Sequence, residues 1–223
     1  MPTGVPIPNV RAQLFEAGMQ VLMRDGAGAL TSRAVTSEAG VAKGLLHRHF
    51  SDFDTFLASL VLAQIQLIDA RSAELRRSAG TGDVAANVAD VLAITLAPDA
   101  LVLVDLVLSR RALLHRLRLA TPAGIPLLAE TTRMIAAYLT AERGLGRISL
   151  GADVDRFALI LVGATHLLCA GRDGTPPDSE EIYGLIATTI AGIVQEPRAD
   201  TSRAATADRK AQHDHDRPTR SGH

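Results

Sequence analysis

The chain has 223 residues, 47% of them hydrophobic and 21% charged, with a formal net charge of -1. That length and composition describe one or two globular domains with a sizeable core and exclude a disordered or collagen-like chain. Neutrality excludes a protein that grips polyanions through bulk charge, so any basic surface must be local. Cys169 is the single cysteine, which excludes an internal disulfide and fits a reducing compartment. Its expected state is a small buried hydrophobe.

Residues 1–9 (MPTGVPIPN) have neither the basic region nor the apolar stretch of a secretory signal and are expected to be flexible. Asn9 is placed to cap a helix from Val10 to Arg24, with Leu14, Ala17, Val21 and Leu22 on its buried face. Gly18 in mid-helix costs about 1 kcal/mol against alanine, which points to close packing against another helix. Thr31 can cap a short helix, Ser32 to Ala39, with Val35 and Ala39 on one stripe. Gly40 follows as a left-handed stop, and Val41 can plug the angle to a second helix, Ala42 to His49. Phe50 closes that helix, and Ser51 with Asp54 reads as the capping box of the next. The pattern is a helix-turn-helix, a unit that lays its second helix in the DNA major groove.

Four of the five phenylalanines (Phe15, Phe50, Phe53, Phe56) fall in this first quarter, suggesting a three-helix core built by aromatics and separate from an aliphatic remainder. A long helix runs from about Phe53 to Ser78 and is broken at Gly80-Thr81-Gly82. Asp83 to Leu96, Asp99 to Leu119, Gly124 to Ala141, Asp153 to Ala170 and Asp178 to Val194 follow as five more helices, about nine in all. No alternating strand pattern is long enough to matter, so the fold class is all-α. No apolar run reaches the ~20 uncharged residues of a bilayer span, and Ala158 to Ala170 is interrupted by His166. From Pro197 no aliphatic is larger than alanine, so the tail is expected to be disordered. His213-Asp214-His215-Asp216 matches no structural zinc spacing, and neither a metal nor a cofactor is expected.

Thr31-Ser32-Arg33, Ala39-Gly40-Val41-Ala42-Lys43-Gly44 and Leu46-His47-Arg48-His49-Phe50 together resemble the DNA-binding signature of the TetR/AcrR regulators. The resemblance covers about residues 10–57. It implies a helix-turn-helix domain at 10–57, a ligand-binding and dimerisation domain at 58–196, and a tail at 197–223. It further implies a cytoplasmic, homodimeric, ligand-responsive transcriptional regulator, a repressor released from a palindromic operator by a small, mainly apolar effector. An activator or architectural DNA-binding protein without an effector, or a helical small-molecule-binding protein with weakened DNA binding, stays open beside it.

Residues 1–60 carry five basic and five acidic side chains, but Arg33, Lys43 and Arg48 fall on the groove-facing unit. Arg33 and Lys43 are candidates to read guanine edges or to hold phosphate. Gly44 would let backbone approach DNA, and Leu45 could touch a thymine methyl. Thr31, Ser32, His47, Arg48 and His49 complete the candidate DNA-contact set. His47 stands where the family usually has tyrosine, and Phe53 where a lysine commonly contacts the backbone.

In the second domain Asp105, His115, Arg133 and His166 are candidates to orient an effector, although each would serve equally as a surface or satisfied core residue. Arg110, Arg111, Arg116 and Arg118 read as a solvated face. Phe157, Ile160, Leu161, Ala164, Leu167 and Leu168 cover more than one side of the penultimate helix. Ile182, Leu185, Ile186, Thr189, Ile190 and Ile193 form a stripe on the last. Helices apolar beyond one stripe are buried twice, either within the monomer or, as the resemblance implies, in a four-helix bundle across a two-fold axis. No paired carboxylates, nucleophile–base pair or phosphate loop supports an enzyme.

Overall fold

The computed structural model describes residues 9–121, 124–170, 172 and 175–195. Its ten helices, with no strand among the described residues, make the fold all-α. Expectations for residues 1–8 and 197–223, including the His213–Asp216 cluster, lie outside the described residues.

Three helices build the N-terminal unit: α1 (Val10–Asp25), α2 (Ser32–Glu38) and α3 (Leu45–His49). Asn9 caps α1 as its side chain accepts from the Ala12 N–H at 3.1 Å. Phe15, Phe50 and Phe56 meet with ring centroids 5.2–5.8 Å apart, and Phe53 stacks on Phe56 at 5.6 Å. Gly18 is required by this cluster, because a Cβ there would stand 3.0 Å from the Phe56 ring. The aromatic core is not separate from the aliphatic one. A single run of buried contacts extends from Leu14 to Ile190, because Phe56 sits on the helix that both halves share.

That helix is α4 (Phe53–Arg77). Its cap is Asp52, whose carboxylate accepts the Thr55 N–H at 2.6 Å. Ser51 instead bonds the Thr55 hydroxyl at 2.9 Å, so the capping box expected at Ser51 is replaced by a single side-chain cap one residue later. Twenty-five residues make α4 about 37 Å long at ~1.5 Å per residue. It has the length and apolar content of a membrane-crossing helix, but its apolar side packs against α5 (Val84–Thr95), α7 (Arg111–Arg118) and α8 (Leu128–Gly144).

The helix expected from Asp99 to Leu119 is two: α6 (Pro98–Ser109) and α7. Arg110 leaves helical geometry at φ -121°, ψ 94° although no glycine or proline stands there. The cause is tertiary. The Arg110 guanidinium donates to the carbonyls of Ala27 and Leu30, both at 3.0 Å, in the loop between α1 and α2.

The body is completed by α9 (Val154–Ala170) and α10 (Ser179–Ile190). At the far end of α4, Glu142 is fully buried and accepts the Gly80 N–H and the Arg147 guanidinium, each at 3.2 Å. Arg147 also donates to the carbonyls of Thr81 and Gly82. A single antiparallel bridge, Ile148 to Val194, then holds the end of the described chain against the α8–α9 loop. Burial, and then hydrogen bonding to Glu142, pushes the neighbouring Tyr138 hydroxyl above its ordinary range.

Candidate nucleic-acid interface and cavity

The turn between α2 and α3 is built by Gly40 at φ 63°. Its N–H donates to Ser37 O and the next N–H, of Val41, to Thr36 O, at 3.1 and 3.0 Å. This is a Schellman stop, and it turns Val41 onto the core. Leu46 is completely buried and Phe50 nearly so, which fixes the rotation of α3. Lys43, Gly44, His47, Arg48 and His49 are left exposed, as is Arg33 on α2; Leu45 is half-buried. The recognition helix is shorter than expected, five residues with Lys43-Gly44 as a turn ahead of it. Gly44 lies at φ -76°, open to any residue, and a Cβ there would meet nothing within 4 Å.

Charge sorting on this unit resolves its neutrality. Arg24 is 2.9 Å from Asp25 and 3.0 Å from Glu38, and Arg116 of α7 reaches Asp52 at 3.4 Å. Arg11 lies over the Phe50 ring at 4.4 Å. Among the described residues, Arg33, Lys43 and Arg48 have no ion-pair or hydrogen-bond partner, so the exposed α2–α3 face is positive although the unit is neutral. Two candidates are placed differently from the rest. Thr31 caps α2 by accepting the Ala34 N–H at 3.2 Å, so its oxygen is already engaged. Ser32 Oγ is buried without a partner and is not presented outward.

Sequence reasoning missed Arg110 and Arg116. Both were read as solvated; Arg110 is half-buried, and Arg116, exposed as expected, also donates to the Thr55 hydroxyl at 2.6 Å. Phe53 lies 6.0 Å from the Arg110 guanidinium, so this departure from the family pattern serves the joint between the two halves. Only the clustering of arginines on one helix hinted at the joint.

A cavity of about 450 Å³ lies between the α5–α6 turn and the α9–α10 region. Asp105 and His166 both line it, together with Leu96, Leu101, Val102, Cys169, Arg172 and Ile182. His115 does not, because its position on α7 faces outward. Arg133 lines a different, shallower hollow with Leu159 and Gly163, and its guanidinium is 3.5 Å from Glu130. Burial raises the Cys169 thiol above its ordinary range, keeping it neutral.

The apolar residues of α9 and α10 divide in two. Leu161, Ile182, Ile186 and Ile190 are at most 3% exposed, so the protomer's own core uses them and they leave the candidate dimer surface. Ile160 is exposed, and Phe157, Ala164, Leu168, Leu185, Thr189 and Ile193 are half-exposed. Leu167 is exposed with them, as are Leu159 and Tyr183, which the sequence reading did not include.

A helix-turn-helix with a positive face is joined by one long helix to a hollow helical body. Residues 14–59 match the family model described as "Bacterial regulatory proteins, tetR family". Three solved structures illustrate the likeness of the whole chain. A TetR-family transcriptional regulator from Agrobacterium tumefaciens is 14% identical, over 83% of this chain and 97% of that one, with a TM-score of 0.63. A Saccharomonospora viridis protein solved in complex with choline is 15% identical, over 83% and 98%, with a TM-score of 0.62. SmeT, the repressor of the Stenotrophomonas maltophilia multidrug efflux pump SmeDEF, is 17% identical, over 83% and 91%, with a TM-score of 0.58. No curated protein matches the chain. The helix-turn-helix unit is that of the TetR family, and the chain as a whole has the fold of that family's regulators.

Proposed function

We propose that the chain is a cytoplasmic, homodimeric transcriptional repressor, released from a palindromic operator by a small, mainly apolar effector bound in the 450 Å³ cavity. The observation that carries this reading is the course of α6. Leu101, Val102 and Asp105 form one wall of the cavity, and the same helix ends at Arg110, which grips the loop entering α2. An effector that displaces α6 would therefore move the DNA-binding unit directly, in addition to any tilt of α4. A filled second domain would have favoured an architectural protein without an effector; a cavity within the ordinary size range of ligand sites favours a responsive one.

In this reading Arg33, Lys43 and Arg48 supply charge to phosphate or guanine, and His47 and His49 supply ring N–H groups. Gly44 and Leu45 make the close approach, with Thr31 and Ser32 at the margin. The domain boundary falls at the start of α4, near residue 57. The second copy would cover Ile160, Leu159, Leu167 and Tyr183, setting two α3 helices at half-sites about 34 Å apart or a multiple of it. That SmeT is a repressor and that the S. viridis protein holds choline support the two halves of the proposal.

Fluorescence anisotropy against the DNA upstream of the protein's own gene tests the reading. The intact chain should bind with a defined stoichiometry of two, and Lys43→Ala should abolish binding at physiological salt. Undiminished binding by Lys43→Ala would refute the interface.

A further inference from the structure

Four helix ends meet at the cavity. Leu96 and Ala97 follow the C-terminus of α5, and Cys169 and Ala170 close α9, while Pro98 opens α6 and Ser179 opens α10. A helix N-terminus carries partial positive charge and a C-terminus partial negative charge. Both N-termini are already answered from within the chain, α6 by Asp99 and α10 by Asp178, Glu180 and Glu181. Neither C-terminus is answered, since α5 and α9 have no basic residue in their last turns.

The side chains on the wall lean the same way. Arg172 is engaged by Glu181 at 2.6 Å, which holds that carboxyl below its ordinary range, so the wall's cation is matched. The Cys169 thiol is kept neutral. Asp105 is exposed, and among the described residues it has no ion-pair partner. Among the described residues no Phe, Tyr or Trp lines the space, so a cation held there would be held by carboxylate and helix ends and not by the face of such a ring. Leu96, Leu101, Val102 and Ile182 make an aliphatic part of the wall, beside the His166 ring and the Thr175 and Ser179 hydroxyls.

We propose that this cavity selects a small aliphatic amine, its ammonium group at Asp105 and its hydrocarbon body against the α5, α6 and α10 side chains. The proposal rests on reading the cavity as the effector site and names the class of effector. The opposite ligand, an aliphatic carboxylate, would face one unmatched carboxylate and two unmatched helix C-termini.

Calorimetry on the full-length protein at pH 8 tests it with three probes of one length: hexylammonium, 1-hexanol and hexanoate. Hexylammonium should bind about tenfold tighter than hexanol, and hexanoate more weakly than either. Asp105→Asn should remove the advantage of the ammonium and leave hexanol unchanged. Val102→Phe, which fills the space, should abolish binding of all three, with its fold checked by circular dichroism. Hexanoate binding as tightly as hexylammonium, an Asp105→Asn protein with undiminished preference, probe binding that survives Val102→Phe, or no binding by any probe would each overturn the proposal. Operator anisotropy with hexylammonium separates the two readings. Asp105-dependent binding without operator release would leave the ligand class standing and sink the repressor mechanism.

Discussion

Arg110 donates to the Leu30 carbonyl at 3.0 Å across eighty positions of sequence, and the helix that carries it breaks at that residue. The bond joins a wall of the cavity to the entrance of the helix-turn-helix. Arg110→Ala should lower the unfolding free energy by about 2 kcal/mol, the scale of a hydrogen bond to a charged group. It should also speed amide exchange in residues 27 to 31. Exchange there that matches wild type would refute the joint.

Gly44 needs no side-chain space inside the protomer and no special backbone angle. If glycine is needed for close approach to DNA, Gly44→Ala will leave the urea midpoint unchanged or slightly raised, while operator affinity falls at least tenfold. Loss of stability without loss of affinity would assign this glycine to folding.

Glu142 has no exposure and is held by Arg147 and the Gly80 N–H. Removing one partner of a buried pair leaves the other uncompensated, at a cost of about 3–5 kcal/mol. Glu142→Ala should therefore lose about that much stability in urea denaturation. Glu142→Gln should lose less, because its side-chain oxygen can still accept from Gly80. Equal losses would mean that a neutral acceptor recovers nothing and that the charge of Glu142 carries the whole contribution.

The Asp52 carboxyl is held below its ordinary 3.8, first by accepting the Thr55 N–H and to a lesser degree by Arg116. A lowered folded value stabilises the fold above the unfolded value, and that contribution is lost as pH falls through the folded one. Wild type should thus exceed Asp52→Ala in urea midpoint at pH 6, and the gap should shrink below about pH 4. A gap that stays constant down to pH 2 would exclude an electrostatic role for this cap.

Much of this architecture is legible in the sequence because it is local. The cap at Asn9, the stop at Gly40 and the turn at Gly80 to Gly82 rest on neighbouring residues, and each is found where the spacing puts it. Gly18 was legible as a packing site, although not its partner, Phe56. The break at Arg110 was not legible, because the two carbonyls that cause it lie in a loop far away in the chain. The same limit applies to α9 and α10. Periodicity identified their apolar residues but could not divide those facing the core, such as Leu161 and Ile186, from those facing out, such as Leu167. Asp105 and His166 could be named as polar candidates; that they share a cavity while His115 stands apart is a matter of tertiary placement.

The bonds from Glu142 and Arg147 to the Gly80–Gly82 turn, and the bridge from Ile148 to Val194, bear on how the protein is made. The phenylalanines of the aromatic cluster all lie within the first sixty residues, while Arg110 and Arg116 add their bonds to this unit from later in the chain. The turn at the far end of α4 is held by Glu142 and Arg147, more than sixty positions later in the chain. Loop-closing contacts of this kind form late, so the far end of α4 is pinned only after its start has joined the aromatic cluster.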